Sequence, residues 1–213
     1  MTSVNIWYWF FMLDLHNIVH AYTKEIVPGQ VILFHDYLKQ QDADTCQERL
    51  MKQINWQSEQ ITLYGKTHLV PRLMAWYGDQ GASYRYSGVD HEPLPWNQTL
   101  ADLRDALFNE FQIKFNSVLL NLYRNGKDSM GWHSDDEPEL GMQPVIASIS
   151  LGQERKLRFR KKTNTRETID VSLPHGSLLL MYGDCQHVWQ HHLPKTARPI
   201  ESRINLTFRR IKT

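Results

Sequence analysis

Cysteine is scarce in this sequence of 213 residues, which contains only Cys46 and Cys185. Neither belongs to a C-x-x-C pair, and two cysteines cannot build a disulfide framework. The chain therefore lacks the pattern of small secreted domains, and we expect a reducing, cytoplasmic location.

Long hydrophobic runs are also missing. The only candidate targeting segment, residues 6–13, is much too short to span a bilayer and has no basic residue before it. No Gly/Ser linker or internal repeat divides the chain, so we interpret residues 1–28 as an N-terminal extension and residues 29–213 as one domain. The formal net charge is only +1, so a nucleic-acid partner has to be inferred from local patterns.

Hydrophobic periodicity predicts two amphipathic helices followed by short strands. Apolar stripes mark helices over residues 44–56, with Asp42 or Asp44 as N-cap, and over residues 99–111. Five later segments have the length and character of strands: Ser117–Tyr123, 145–151, 156–161, 177–182 and 202–210. This order favours a mostly β fold with flanking helices (α+β), in which a β-sandwich or jelly roll carries helices outside one sheet.

The motif His133-Ser134-Asp135 places an imidazole and a carboxylate two positions apart. On an extended backbone such residues point to the same side, so both can face one ion. Two histidines and one carboxylate form the facial triad of non-haem Fe(II) oxygenases. With ten histidines and 23 acidic residues, the pair also arises by chance as ordinary surface or core residues. Three downstream histidines are candidates for the third ligand, and their spacing does not select among them: His187, His191 and His192.

The last predicted strand has one polar and one apolar face, since side chains alternate along a strand. Its polar face consists of Arg203, Asn205, Thr207 and Arg209. Guanidinium groups bind carboxylates bidentately and stay charged when desolvated, so this face suits a dicarboxylate. The alternative is an exposed edge strand protected by its charges. In an earlier strand, Asn121 and Tyr123 share one side and could contact the same acid.

In combination, these residues resemble the AlkB family of nucleic-acid dealkylases, from about residue 30 to the C-terminus. The matching runs include Asn121-Leu122-Tyr123, Gly131-Trp132-His133-Ser134-Asp135-Asp136-Glu137, His191-His192-Leu193-Pro194 and Arg203-Ile204-Asn205-Leu206-Thr207-Phe208-Arg209. The resemblance implies a double-stranded β-helix (jelly roll) that uses Fe(II), 2-oxoglutarate and O₂. It also selects His191 as the third ligand, because one residue and then Leu-Pro follow the family's distal histidine. The residues it implies for 2-oxoglutarate are Asn121, Tyr123, Arg203, Asn205 and Arg209.

The implied function is oxidative demethylation of 1-methyladenine and 3-methylcytosine in DNA, which releases formaldehyde, succinate and CO₂. The family pattern suggests base-contacting positions at Tyr64, Arg72, Tyr84 and Tyr86. These methylated bases carry positive charge, so the acids Asp136 and Glu137 could stabilise one at short range; the alternative is that they are ordinary solvated acids. Seven of the twelve residues 155–166 are basic, and we interpret this segment as a phosphate-binding hairpin. We expect a monomer with no membrane partner. Two alternatives remain: the same chemistry on RNA or protein, and a non-catalytic nucleic-acid-binding module.

Overall fold

The structure, a computed structural model, describes residues 23–63, 66–82, 84–86 and 89–212. For residues 61–63, 66, 67, 84–86 and 89–91 it describes the backbone alone. The apolar run at residues 6–13 therefore lies outside the described residues. Among the described helices, none combines the length and apolar character that crossing a bilayer requires.

The described residues form fourteen strands and three α-helices. The strands are β1 (Thr23–Val27), β2 (Val31–Phe34), β3 (Gln57–Leu63), β4 (Lys66–Gly78), β5 (Tyr84–Tyr86), β6 (Val89–His91), β7 (Ser117–Tyr123), β8 (Met130–His133), β9 (Ile146–Gly152), β10 (Arg155–Lys161), β11 (Thr168–Leu173), β12 (Ser177–Met181), β13 (Trp189–Leu193) and β14 (Arg203–Arg209). The helices are α1 (Gln40–Gln53), α2 (Gln98–Phe111) and α3 (Cys185–Val188), and a 3-10 turn covers Pro138–Leu140.

Two antiparallel sheets build the body of the protein. The larger sheet has the order β1-β2-β12-β9-β14-β7-β4-β3, and the smaller sheet has the order β11-β10-β13-β8. This arrangement confirms the mostly β, jelly-roll prediction. Strand β1 lies within residues 1–28, the segment interpreted as an extension, and its Glu25 pairs with Ile32 of β2.

The larger sheet separates two hydrophobic cores. One core lies between the sheet and the helices, where Leu50 and Leu107 pack with Leu206 and Phe208 of β14. The other lies between the two sheets and includes Phe159 of β10. Because side chains alternate along β14, its apolar residues face the helices and its polar residues face the space between the sheets.

The two long helices lie close to their predicted positions. Helix α2 begins at Gln98, and the Asn97 side chain caps it by accepting a hydrogen bond from the Leu100 amide. Helix α1 begins at Gln40, so the prediction of Asp42 or Asp44 as its N-cap was wrong. Its cap residue, Lys39, makes no capping bond through its side chain.

Replacing Phe208 with alanine is expected to lower the free energy of unfolding by about 3–5 kcal/mol, because the change leaves a cavity in a packed core. The Phe208 ring is fully buried and packs against Trp96 and Phe115. The urea concentration at the unfolding midpoint should fall, while the dependence of the free energy of unfolding on urea concentration stays constant. Met142→Ala is the control, since that side chain is 81% exposed. A loss for Phe208→Ala as small as that of the control would contradict this assignment of the core.

Candidate metal centre and cosubstrate pocket

Two histidines and one aspartate meet where β8 and β13 lie side by side. His133 ends β8 and pairs across the sheet with His191 of β13. One ligand atom from each of His133, Asp135 and His191 lies within 4.8 Å of the others. Among the three downstream histidines, the structure therefore brings His191 to the pair. His191 is brought to the pair by the register of β13 against β8, and the spacing of the three histidines in the sequence does not reveal that register.

The loop after β8, rather than strand alternation, positions Asp135. The strand ends at His133, and two hydrogen bonds then fix the turn. Ser134 Oγ donates to the Trp189 carbonyl at 2.9 Å, and the Asp135 amide donates to Gln186 Oε1 at 2.9 Å. Gln186 is fully buried, and sequence reasoning does not single it out because it acts through a contact 51 residues distant.

The protonation states of the cluster suit a divalent cation. His133 Nδ1 lies 2.9 Å from the Gly131 carbonyl, which can only accept, so Nδ1 is the ring nitrogen that donates to the backbone. Burial, then the charge of His133, lowers the pKa of His191 to about 3, so its imidazole is neutral. Burial alone would raise the pKa of Asp135, but Arg209 and the two histidines outweigh it and lower that pKa to about 2.

The polar face of β14 lies beside this cluster, as its alternation predicts. Arg209 Nη2 donates to Asp135 Oδ1 at 2.6 Å, while Asp135 Oδ2 lies 3.9 Å from His191 Nε2. Arg203, at the other end of the strand, is 97% buried, since only 3% of its surface is exposed. Its Nη2 donates to Ser150 Oγ at 2.9 Å, and its guanidinium carbon lies 5.4 Å from the Tyr123 ring centroid.

A hydrogen-bonded chain holds the amide of Asn205 in place. Its nitrogen donates to Ser148 Oγ at 2.7 Å, and its oxygen accepts from Thr207 Oγ1 at 3.0 Å. Ser148 and Ser150 alternate with the core residues of β9. The same period-two argument that identified the face of β14 could therefore have found both serines, although they were not predicted.

One pocket between the two sheets collects all the side chains predicted to hold metal or cosubstrate. They are Asn121, Tyr123, His133, Asp135, His191, Arg203, Asn205 and Arg209. The donor set of two imidazoles and one carboxylate is that of a non-haem Fe(II) site. Among the described residues, no carboxylate lies within 4.0 Å of the buried Arg203 guanidinium. A buried cation without an anionic partner is costly, so this residue fits an anionic ligand.

Comparison with known proteins agrees with this chemistry. The sequence matches the 2OG-Fe(II) oxygenase superfamily over residues 30–209. Human alpha-ketoglutarate-dependent dioxygenase alkB homolog 3 is 40% identical over 192 residues, which are 86% of this chain and 66% of that protein. Human DNA oxidative demethylase ALKBH2 is 38% identical over 180 residues, which are 80% of this chain and 69% of that protein. The chain belongs to the AlkB family.

The AlkB family assignment is accompanied by a match in fold. The solved structure of OsALKBH1 superposes with a TM-score of 0.65, over 88% of this chain and 99% of that chain. At 16% identity this likeness shows the jelly-roll fold alone. The family's metal and cosubstrate are Fe(II) and 2-oxoglutarate, as its description states. The chain spans about two thirds of the length of the first relative, 66% in the human protein.

Of the AlkB-like positions proposed to contact a base, Arg72 is the best defined. It lies on β4, is buried, and its Nε donates to Asn121 Oδ1 at 2.6 Å. It therefore supports a predicted cosubstrate residue. Tyr64 lies outside the described residues. Tyr84 and Tyr86 stand on the β5–β6 hairpin, and their side chains are outside the described part of the structure.

The two acids after the ligand aspartate lie apart from the pocket. Asp136 pairs with Lys162 Nζ at 2.8 Å, so its charge is already compensated. Glu137 is half-buried at the start of the 3-10 turn, where its carbonyl accepts from the Leu140 amide. Neither side chain lines the pocket. Contact with a base would therefore require the substrate to reach beyond the pocket wall.

The basic segment 155–166 covers β10 and most of the turn of the β10–β11 hairpin, and most of its charges have partners within the protein. These pairs are Arg158 with Asp170, Arg160 with Gln190, Lys161 with Glu167 and Lys162 with Asp136. Internal pairing weakens the interpretation of this hairpin as a phosphate-binding surface. Arg155 is buried, so it is not part of the hairpin surface that a phosphate could reach.

Proposed function

We propose that this protein is an Fe(II)- and 2-oxoglutarate-dependent dioxygenase that demethylates N-alkylated bases, 1-methyladenine and 3-methylcytosine, in DNA. The products would be formaldehyde, succinate and CO₂. One observation carries the proposal: the cluster of half-buried His133 with buried Asp135 and His191 shares a pocket with a buried arginine that has no carboxylate partner among the described residues.

In this proposal, three side chains hold the iron and leave coordination positions open. They are His133, Asp135 and His191, which provide two imidazoles and one carboxylate. When bound, Fe(II) with 2-oxoglutarate and O₂ supplies the oxidation of the N-methyl group. The hydrogen bond from His133 Nδ1 to the Gly131 carbonyl would leave Nε2 as the nitrogen available to the ion, and Gln186 holds the backbone of Asp135.

The proposed cosubstrate contacts come from the larger sheet. Arg203 and Tyr123 would hold the distal carboxylate of 2-oxoglutarate, and Arg209 would lie near the carboxylate beside the keto group. Asn121 and Asn205 would orient the acid between them. Support comes from burial, since all five side chains are at least 92% buried, which makes a charged hydrogen bond stronger than it would be in water.

DNA as the substrate rests on the relatives. One of them is named as a DNA oxidative demethylase. Enzymes that act on a base in a duplex extrude it and stack it between aromatic or apolar side chains. We assign that stacking to Tyr84 and Tyr86, and the neighbouring wedge to Tyr64. Arg72, Asp136 and Glu137 complete the proposed base-recognition set, with Arg72 linking it to the cosubstrate through Asn121.

A product assay tests the substrate directly. Purified protein with Fe(II), ascorbate and 2-oxoglutarate is incubated with 3-methylcytosine in matched single-stranded DNA, duplex DNA and RNA oligonucleotides. We expect the unmodified base to appear in DNA, measured by mass spectrometry together with an equal amount of succinate. His133→Ala is the control and should give neither product. Repair of RNA alone would contradict the DNA assignment. Binding of DNA without succinate release would favour a non-catalytic binding module.

A further inference from the structure

Arg155 is a buried arginine with no assigned role. It opens β10, and only 6% of its surface is exposed. On this strand Arg155 shares its side with Leu157 and Phe159, which belong to the core between the sheets. Its side chain therefore points away from solvent and toward the pocket side of the smaller sheet.

The guanidinium of Arg155 ties two loops together at this end of the pocket. Its Nη2 donates to the Pro194 carbonyl at 2.6 Å and to the Asp128 carbonyl at 3.1 Å. The same loops also contact each other directly, because the Thr196 amide donates to the Gly126 carbonyl at 2.8 Å. Arg155 Nη1 also donates to the Asn125 carbonyl at 3.4 Å, so three backbone acceptors fix the guanidinium, and all three are neutral.

In the described part of the chain, the charge of Arg155 has no directly bonded carboxylate partner. Burial lowers the pKa of Arg155, and the charge of Asp128 acts in the opposite direction by raising that pKa. Among the described residues, no carboxylate lies within 4.0 Å of the Arg155 guanidinium. The nearby Asp128 carboxylate is engaged by Arg124, whose Nε and Nη2 donate to its two oxygens at 2.8 and 2.9 Å. Arg155 accordingly adds positive potential to its surroundings.

Tyr123 lies close to both arginines. Its ring centroid is 5.9 Å from the Arg155 guanidinium carbon and 5.4 Å from that of Arg203, so the two charges are at most about 11.3 Å apart. The two cations affect each other. Burial lowers the pKa of Arg203 to about 10, an effect that Tyr123 opposes and the charge of Arg155 strengthens. Both groups remain charged at neutral pH, and their fields add at the end of the pocket that Tyr123 and Arg203 line.

We infer that Arg155 is a second cation of the subsite for the distal carboxylate of 2-oxoglutarate, and that it acts through space from behind Tyr123 to select a dicarboxylate. This inference rests on the proposed function, which places that carboxylate at Arg203 and Tyr123. In a region of low dielectric, a charge within this distance is weakly screened. Arg155 is therefore a positioning and specificity residue that does not touch the cosubstrate.

Two substitutions separate the charge of Arg155 from its tethering of the loops. Arg155→Gln keeps an amide donor for the carbonyls of Asp128 and Pro194 but removes the charge. Arg155→Lys keeps the charge but loses the planar fork. Lys156→Gln is the matched control, because it removes the same charge from the neighbouring position on the exposed side of β10.

Binding is measured by calorimetry on the full chain loaded with Mn(II), which does not turn over. Each variant is titrated with 2-oxoglutarate and with 2-oxopentanoate, which has the same chain length but lacks the distal carboxylate. For Arg155→Gln we expect the Kd for 2-oxoglutarate to rise about tenfold, because the variant loses the attraction between one nearby positive charge and the distal carboxylate. The Kd for 2-oxopentanoate should stay within about twofold. Arg155→Lys and Lys156→Gln should bind both acids about as the parent protein does.

Three results would overturn the inference. Equal weakening of both acids by Arg155→Gln would mean that the residue only ties the loops. Unchanged binding of both acids would mean that its charge is not felt in the pocket. An Arg155→Lys variant as weak as Arg155→Gln would assign the effect to the fork instead of the charge. Failure of the parent protein itself to bind 2-oxoglutarate would instead contradict the proposed function.

Discussion

Replacing His191 with alanine is expected to abolish succinate formation and metal binding. The side chain is 95% buried, since only 5% of its surface is exposed, and its Nε2 faces Asp135 across 3.9 Å. Loss of even an outer partner of a metal ligand costs about 10- to 100-fold in metal affinity or activity, so loss of a ligand should cost more than about 100-fold. The measurements are Fe(II) content after dialysis and succinate released per protein.

His187 provides the control for this prediction, because it was a rival candidate for the same role. It is exposed on α3 and does not line the pocket. His187→Ala should therefore keep both its metal and its turnover. Loss of metal in His187→Ala with retention in His191→Ala would show that the triad is assigned to the wrong histidine. Far-UV circular dichroism establishes that both variants are folded.

Replacing Arg203 with glutamine is expected to raise the KM for 2-oxoglutarate about 100-fold. Removing one partner of a buried, hydrogen-bonded charge pair costs on the order of 3 kcal/mol, and Arg203 is buried beside Tyr123 and Ser150. Arg203→Lys should recover little of this loss, because an ammonium cannot present two parallel donors to a carboxylate. Initial rates at a series of 2-oxoglutarate concentrations give KM and kcat separately.

Arg210 is the matched control for Arg203. It follows β14 directly and is exposed, so Arg210→Gln removes an equal charge from the surface. We expect its KM for 2-oxoglutarate to remain unchanged. The Arg203 variants should also keep their KM for the methylated oligonucleotide, since the residue lies in the cosubstrate part of the pocket. A normal KM for 2-oxoglutarate in Arg203→Gln would remove the proposed clamp.

The sequence predicts what depends on local alternation. The polar face of β14 follows from period two alone, and the structure places Arg203 and Arg209 in the pocket while Phe208 faces the helices. The two helices follow from their apolar stripes in the same way. The two-residue spacing of His133 and Asp135 also suggested that both side chains face one ion. In the structure, however, a loop held by Gln186 brings the carboxylate into place.

Features that depend on distant pairing were not predictable in this way. The choice of His191 requires the register of β13 against β8, and no local pattern of residues gives that register. Strands β1 to β4 were also missed. β4 contains Pro71, and a proline in a sequence argues against a central strand because it has no amide to donate. In the structure, Pro71 still takes part through its carbonyl, which accepts a hydrogen bond from the Ser129 amide.

Arg155 shows how composition can mislead. Seven basic residues in twelve suggested a surface for phosphates, yet Arg155 has the same phase as Leu157 and Phe159 and is buried with them. Phase along the strand, rather than the number of charges, was the informative signal. The same reasoning separates Arg155 from its exposed neighbour Lys156.

The contact between Arg209 and Asp135 has a thermodynamic consequence. The Arg209 guanidinium donates a hydrogen bond to Asp135, a proposed iron ligand, and in the proposed complex it also lies near the cosubstrate. Each ligand then alters the free energy with which the other binds, and linkage requires the two effects to be equal. The affinities for iron and for 2-oxoglutarate are in that case joint properties of the pair, and a reported value for either has meaning only at a stated concentration of the other.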